Sequence, residues 1–240
     1  MLAADAPQRR KAMHVITIFP RRMIVALICL LALAAPALGE PATAEEVAAP
    51  DIKLGDSWLF DRIDGFKNAR VHSTVATVIA VDDQQIKIEW KRTDDGTVTT
   101  ETYNRGLNRL VSETSAGTET VDPFYPRYAF PLEVGKTWER TVTVTRSRRP
   151  ERKIALSLSG KVVGRERITV PAGTFDALKV EVEGFYNVSD TQKKWTGRVA
   201  QALWYAPAVK HAVKWTYEDT TAHRTVHRYG YELVEYRPGP

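Results

Sequence analysis

Four histidines lie beyond residue 40, and two of them, His223 and His227, stand four positions apart. On a helix this spacing places both rings on one face, where they can bind one zinc ion. The surrounding residues alternate between polar and aromatic types, which indicates a strand instead. Four positions of a strand span about 13 Å, too far for two rings to share a metal. The sequence therefore predicts no metal site, and we expect His227 to be a hydrogen-bonded histidine.

The sequence lacks the motifs that are typical of enzymes with a catalytic nucleophile and of enzymes that bind nucleotides. The chain contains no Gly-x-Ser-x-Gly elbow and no phosphate-binding glycine loop, and its one cysteine, Cys29, lies in the N-terminal apolar run. Acidic residues lie close together at Glu218-Asp219 and at Asp61 and Asp64, but carboxylates are frequent on any solvated sheet edge. We assign no catalytic residue and expect no cofactor.

Aromatic residues are dense in the last third of the chain. A curved sheet with an aromatic concave face can line a pocket for an apolar ligand, or the same face can be an ordinary filled core. If it is a pocket, the candidate ligand-binding residues are Trp195, Trp204, Trp215, Tyr229 and Tyr231.

The N-terminus predicts export. Arg21-Arg22 precedes thirteen mostly apolar residues, from Met23 to Ala35, and small residues with two acceptable cleavage spacings follow. This run is shorter than the roughly 20 residues that a membrane-spanning helix needs. We therefore predict a cleaved signal peptide over residues 1–39, no stable membrane anchor after cleavage, and a periplasmic or secreted product; an uncleaved anchor is the alternative.

Removal of the leader changes the electrostatic interpretation. Residues 1–39 contain five basic residues and one acidic residue, so the net charge falls from +5 to +1. A nearly neutral exported protein is not expected to bind nucleic acid. One basic cluster remains around Pro150, and it indicates either a solvated hairpin tip or an anion site. The cluster comprises Arg146, Arg148, Arg149, Arg152 and Lys153.

The remaining chain has the period-two pattern of one-sided β-strands. Ile86, Ile88 and Trp90 alternate with charged residues, and similar runs recur up to the C-terminus. The dipeptide Asp95-Gly96 predicts a tight hairpin turn. After residue 52 no apolar stripe keeps a helical period for three turns. We expect an all-β fold, either an antiparallel curved sheet or a partly open barrel, with little helix.

The domain is expected to span residues 53–237, after a flexible spacer over residues 40–52 that is rich in Ala, Pro, Glu and Thr. A phrase repeats within this domain: Leu54-Gly-Asp-Ser-Trp58 is echoed by Val134-Gly-Lys-Thr-Trp138. Each phrase combines a glycine for a tight turn with a tryptophan for burial. The repeat allows two similar halves, 53–130 and 131–237.

Three segments carry a family resemblance: Ile168–Glu181 with its Val-Pro-Ala-Gly-Thr-Phe turn, Trp204–Lys214 with its Trp-Tyr-Ala-Pro start, and Phe130–Trp138. The chain resembles exported bacterial β proteins of the TapB-like kind, which are largely of unknown function. The resemblance implies an antiparallel, partly barrel-like sheet and brings no catalytic residues. The glycines usual after the Trp-Tyr-Ala-Pro strand are absent between Ala208 and Lys214.

These observations favour an exported, non-enzymatic β protein. Its expected partner is a lipid-like apolar or amphiphilic small molecule, or a protein of the cell envelope. Two alternatives remain at this stage: a structural or interaction module with a filled core, and an enzyme that acts on envelope glycans through an unrecognised carboxylate pair.

Overall fold

The protein is a closed antiparallel β-barrel. The computed structural model describes residues 46–191, 193–221 and 224–240, so the predicted signal peptide lies outside the described residues, as do residues 40–45 of the spacer. Each strand pairs with its neighbour in sequence, and β1 also pairs with β12, which closes the ring. The strands are β1 (Ser57–Asp64), β2 (Ala69–Val81), β3 (Gln85–Arg92), β4 (Val98–Asn104), β5 (Arg109–Thr114), β6 (Gly117–Tyr125), β7 (Thr137–Arg146), β8 (Lys153–Val170), β9 (Gly173–Ser189), β10 (Lys194–Ala206), β11 (His211–Thr221) and β12 (Thr225–Arg237).

The all-β expectation is confirmed, and the structure adds closure to it. Within the described residues, the helical content is one 3-10 turn, Pro207–Val209. Inward and outward side chains alternate along every long strand, as in β8, where Leu156, Leu158 and Val162 are buried between exposed neighbours. All inward side chains therefore meet in one lumen. No described helix is long and apolar enough to cross a lipid bilayer.

The repeated phrase opens two equivalent strands. Gly55 and Gly135 both have positive φ, 83° and 91°, and each donates its amide to a strand carbonyl at 2.9 Å. The strands that follow these glycines are β1 and β7. They are the first strands of the two successive sets of six strands, β1–β6 and β7–β12. Trp58 and Trp138 both point inward, and each donates its indole N–H to a loop carbonyl, at 2.8 and 3.0 Å.

One end of the barrel is plugged. This closed end contains the loops 82–84, 105–108, 126–136, 171–172 and 207–210. Segment 126–136 folds over the lumen, where the Asn108 side chain holds the backbone of Tyr128 through two hydrogen bonds of 2.9 Å. Val47 forms a β-bridge with Leu132, and Ile52 is 1% exposed, so the packed chain begins before residue 53.

The opposite end, the open end, contains the hairpin loops of β1–β2, β3–β4, β5–β6, β7–β8, β9–β10 and β11–β12. The hairpin predicted at Asp95-Gly96 is one of these loops, with Gly96 at φ 70°. No segment comparable to 126–136 covers this end among the described residues. The cavity discussed below opens here.

A buried carboxylate fastens the closed end. Asp56 is 0% exposed and accepts hydrogen bonds from the amides of Lys53 and Gly239, both at 2.8 Å, and from Lys210 at 2.9 Å. The Tyr236 hydroxyl donates to it at 3.1 Å. Lys210 has the left-handed φ of 58° in the turn where glycines were missing from the sequence. One side chain thus joins the entry of β1, the β10–β11 turn and the C-terminus.

We expect Asp56→Asn to lower the free energy of unfolding by about 2 kcal/mol, because the Lys210 ammonium loses its charged acceptor. Burial alone would raise the pKa of Asp56, but the amides of Lys53 and Gly239 and the Lys210 charge hold it below its usual value. Its contribution is therefore present at neutral pH and is lost as the pH falls through that lowered pKa. Urea unfolding at pH 7 and pH 3 measures both effects. The exposed Asp51→Asn is the control, and an equal loss in both variants would contradict the expectation.

Candidate functional site

A cavity of about 560 Å³ occupies the lumen at the open end. Strand alternation builds it: along β10, the residues Trp195, Val199 and Gln201 all point inward. The six positions from Trp195 to Gln201 cover about 20 Å, so Trp195 lies near the mouth and Gln201 lies deep. The cavity therefore follows the barrel axis from the rim to the middle of the lumen.

One wall of the cavity is apolar. It comes from β7 to β10, whose inward residues here are uncharged except for Arg146 at the end of β7, which binds Glu119. The residues of this wall are Val144, Ile154, Leu156, Val188, Trp195 and Val199. Tyr186 adds a hydroxyl that donates to Asp219 at 2.8 Å. An alkyl chain or a ring placed against this wall would lose its contact with water.

The adjoining wall, from β4 to β6, is charged. The Arg109 guanidinium donates to Glu101 at 2.9 Å and to Glu119 at 2.8 Å, and Glu119 also binds Arg146 at 2.9 Å. Arg109 and both glutamates keep between 13% and 23% of their side-chain surface exposed. Burial alone would raise the pKa of Glu101, but Arg109 and Arg127 keep it below the usual value. Glu101 is therefore ionised at neutral pH.

Four side chains that line this cavity have a buried polar atom without a partner among the described residues: Arg109, Arg127 and Arg152 through Nε, and Gln201 through Oε1. Arg109 and Arg152 are paired with carboxylates through their other nitrogens. Gln201 donates its amide nitrogen to the Tyr125 hydroxyl at 2.7 Å, which fixes the side chain at the cavity surface. Arg127 and Gln201 both line the cavity. An incoming molecule can therefore find both a cation and an amide at the deep end.

The aromatic candidates from the sequence divide between two faces. Trp195, Trp215 and Tyr229 line the cavity. Tyr231 stacks on Trp215 with ring centroids 4.5 Å apart and receives a hydrogen bond from Arg62. Trp204 points outward, where its indole donates to Glu166 at 2.6 Å and the ammonium of Lys179 lies 5.5 Å from the ring. The structure thus brings four of the five candidates into the lumen.

The charged wall was missed by the sequence analysis. Glu101 and Tyr103 alternate on β4 in a pattern that also suits an exposed strand face, and Arg127 lies in a loop with no periodicity. Their inward placement depends on pairing with β5 and on the fold of segment 126–136. The one available signal was the position of charged residues on the same strand face as buried aromatic residues.

The acidic pairs noted in the sequence do not combine. Glu218 points outward toward Arg228 and Asp219 points inward to Tyr186, as strand alternation requires. Asp61 binds Arg70 and Ser73 on the outer face, and Asp64 accepts two backbone amides in the β1–β2 turn. No group of three or more metal-binding side chains occurs among the described residues, and His223 lies outside them.

A larger groove of about 1200 Å³ lies mainly on the outer surface of β7 to β12. Most of its lining side chains point outward, and its charges are paired: Arg198 with Glu183, Lys214 with Glu232, and Arg228 with Glu218. The floor contains the small residues Ala200 and Ala202. We place the candidate site in the lumen instead, because polar groups there converge without partners while the charges of the groove satisfy one another.

An aromatic cluster separates the cavity from the closed end. His211 lies among Trp58, Phe60, Trp90 and Trp215, with ring centroids 5.2 to 6.3 Å away. Its Nδ1 donates to the Ala212 carbonyl at 3.1 Å. Burial lowers the pKa of His211 to about 4, so the ring is neutral at physiological pH. The cluster is the packed floor of the cavity, and Trp215 is the member that also lines the cavity.

No family model matches the chain, and no curated protein matches it. Several solved structures resemble it. A protein with a YmcC-like fold from Bacteroides fragilis, named as a candidate exported protein, aligns with a TM-score of 0.50 and 16% identity over 80% of this chain and 100% of its own. A candidate lipoprotein from Parabacteroides distasonis aligns with a TM-score of 0.47 and 15% identity over 80% of this chain and 100% of its own. The hypothetical lipoprotein YmcC from Escherichia coli aligns with a TM-score of 0.44 and 12% identity over 78% of this chain and 85% of its own.

At these identities the likeness shows the fold alone. The chain has the architecture of the Bacteroides fragilis protein with the YmcC-like fold. This agrees with the general kind of protein that the sequence motifs indicated, whereas the narrower TapB-like resemblance stays a prediction.

We expect the free energy of unfolding to fall by about 2 kcal/mol between pH 7 and pH 5 through His211. An unfolded histidine takes up a proton near pH 6.5, whereas His211 in the fold does so only near pH 4. The unfolded state therefore binds more protons in this window, and stability is lost as the pH falls. Urea unfolding at both pH values, compared with His211→Gln, isolates the effect. An equal fall in the variant would contradict it.

Proposed function

We propose that this protein is an exported, non-enzymatic binding protein that holds a small amphiphilic molecule in the lumen of its barrel. The observation that carries the proposal is the mixed character of the cavity, with an apolar wall beside a charged one. A purely apolar ligand would leave the Arg109 network facing hydrocarbon, and a purely polar ligand would gain nothing from the wall around Trp195. An amphiphilic molecule matches both.

The cavity size supports binding over a filled core. Small-molecule sites in proteins commonly have volumes of about 300–1,000 Å³, and the lumen space of about 560 Å³ lies within this range. The closed half shows what a filled interior looks like in the same barrel, since Phe60, Tyr205 and Leu233 are almost fully buried there. The open half keeps space that its side chains do not fill.

The state of the carboxylates argues against the glycan-hydrolysing alternative. A glycosidase needs one carboxylic acid with a raised pKa to protonate the leaving group. Glu101 and Glu119 both bind Arg109, and the pKa of Glu101 is lowered. Glu101 and Glu119 are therefore better suited to stabilising the nearby arginine than to donating a proton to a leaving group.

The expected location suits such a ligand. The predicted leader would deliver the protein to the periplasm or the outside of the cell, where lipid-like molecules have to cross an aqueous space. A closed barrel with one open end shields an apolar chain from water during that passage. We propose this setting together with the binding role.

We expect wild-type protein to bind the fluorescent probe N-phenyl-1-naphthylamine saturably, and Ile154→Trp to weaken that binding by about tenfold or more. Ile154 lines the mouth of the cavity, where a larger ring would occupy the space of the probe. Val163→Trp on the same strand is the matched control, because Val163 points outward and is 41% exposed. Fluorescence titration measures all three proteins.

Absence of a saturable signal in the wild type would favour a filled interaction module over a binding protein. Equal probe affinity in the two tryptophan variants would place the probe somewhere other than the lumen. Circular dichroism of each variant shows whether the barrel is intact.

A further inference from the structure

The deep end of the cavity presents a cation that the protein itself does not neutralise by contact. Arg127 lines the cavity, and its guanidinium forms no ion pair and no hydrogen bond with any described residue. Burial alone would lower the pKa of Arg127, but the neighbouring Tyr103 and Glu101 raise it, so the group stays charged. The buried Nε–H of a charged group thus lacks a protein acceptor.

The nearby carboxylates are already occupied. Glu101 accepts from Arg109 through Oε1 and from the Tyr103 hydroxyl through Oε2. Glu119 accepts from Arg109 through Oε1 and from Arg146 through Oε2. Arg109 is therefore held between two acids, whereas Glu101 attracts Arg127 without forming a hydrogen bond or an ion pair with it. Of these two arginines, Arg127 is therefore the one that has no anionic group in contact with it.

The other charged and phenolic groups around Arg127 do not replace that anion. Glu101 attracts Arg127 but binds Arg109 and Tyr103 instead, and the charge of Arg109 repels Arg127. Tyr103 and Tyr128 stay neutral because burial raises the pKa of each phenol well above its usual value.

Tyr125 accepts a hydrogen bond from the Gln201 amide nitrogen at 2.7 Å, so its own hydroxyl proton can be donated to a ligand, while Gln201 Oε1 can accept one. A guanidinium next to a neutral hydroxyl donor suits the binding of a carboxylate or a phosphate.

We infer that Arg127 binds the anionic head group, a carboxylate or a phosphate, of an amphiphile whose chain lies along the apolar wall toward the mouth. The inference rests on the proposed lumen-binding function and adds the charge and the orientation of the ligand. The head group lies inside near Gln201, and the chain runs past Val199 and Val188 toward Trp195, because the polar groups are deep and the apolar residues follow the strands to the rim.

The rim favours entry of an anion. The loop between β7 and β8, the start of β8 and the start of β10 place a basic set of residues at the mouth, on the side of the apolar wall: Arg148, Arg149, Lys153, Lys193 and Lys194, all exposed. Arg152, also at the mouth, is paired with Asp190 at 2.9 Å and lies over the Trp195 ring at 5.0 Å. Positive potential at the entrance raises the local concentration of an anionic ligand and speeds its association.

The test compares three probes with the same ten-carbon chain: decanoate, decyl phosphate and decanol, titrated by calorimetry at pH 7.5. We expect the wild type to bind at least one of the two anions about tenfold or more tightly than decanol. Arg127→Gln should abolish this preference while leaving the decanol affinity within about twofold, and Arg127→Lys should keep part of it because the charge remains.

Arg140→Gln is the matched control, since Arg140 is an exposed arginine stacked on Phe124 at 4.5 Å and does not line the cavity. It should bind all three probes as the wild type does. A tight decanoate complex with weak decyl phosphate binding would identify a carboxylate, and the reverse would identify a phosphate.

The outcomes separate the inference from the function on which it rests. If the wild type binds none of the three probes, the lumen-binding function itself fails. If it binds decanol as tightly as both anions, or if Arg127→Gln keeps the preference, the role of Arg127 is wrong while lumen binding stands. The wild-type comparison of probes needs no variant, so the inference can be overturned even if Arg127→Gln does not fold.

Discussion

Closure of the sheet is the constraint on which the rest of the structure depends. Because β1 pairs with both β2 and β12, the ring has no free edge, and the period-two alternation sends every second side chain into a shared interior. The interior of a barrel widens as strands are added, and about eight strands enclose only enough room for their own side chains. Twelve strands enclose more room than that. Segment 126–136 and the aromatic cluster around His211 fill one half, and the cavity is the volume that remains.

The charged wall inside this volume is costly to keep. Buried ions lose hydration, and their mutual attraction repays the loss only when the geometry is good. Arg109 meets that condition through its contacts with Glu101 and Glu119. Arg127 does not, since it has no contacting acceptor among the described residues. A buried guanidinium without an acceptor lowers the stability of the protein. An anionic ligand would supply the acceptor that Arg127 lacks, which gives a reason for its position.

The two ends of the barrel divide stability and binding between them. The closed end holds the Asp56 network, which joins the entry of β1, the Lys210 turn and the C-terminus, together with the most deeply buried aromatic residues. The open end carries hairpin loops, a basic rim and an interior that is not filled. Such a division allows a ligand to enter without disturbing the contacts that hold the ring closed.

The sequence by itself determined the strands, their one-sided faces and the repeated opening of β1 and β7, because alternation and turn residues act over a few neighbouring positions. It also indicated the aromatic interior, although Trp204 could not be told from Trp195 by composition. Only the tertiary structure decided that the sheet closes, that Glu101 and Arg109 face each other across neighbouring strands, and that Arg127 reaches the lumen from a loop. These features depend on strand pairing and loop packing between residues far apart in the chain. A pattern of a few neighbouring residues therefore cannot predict them.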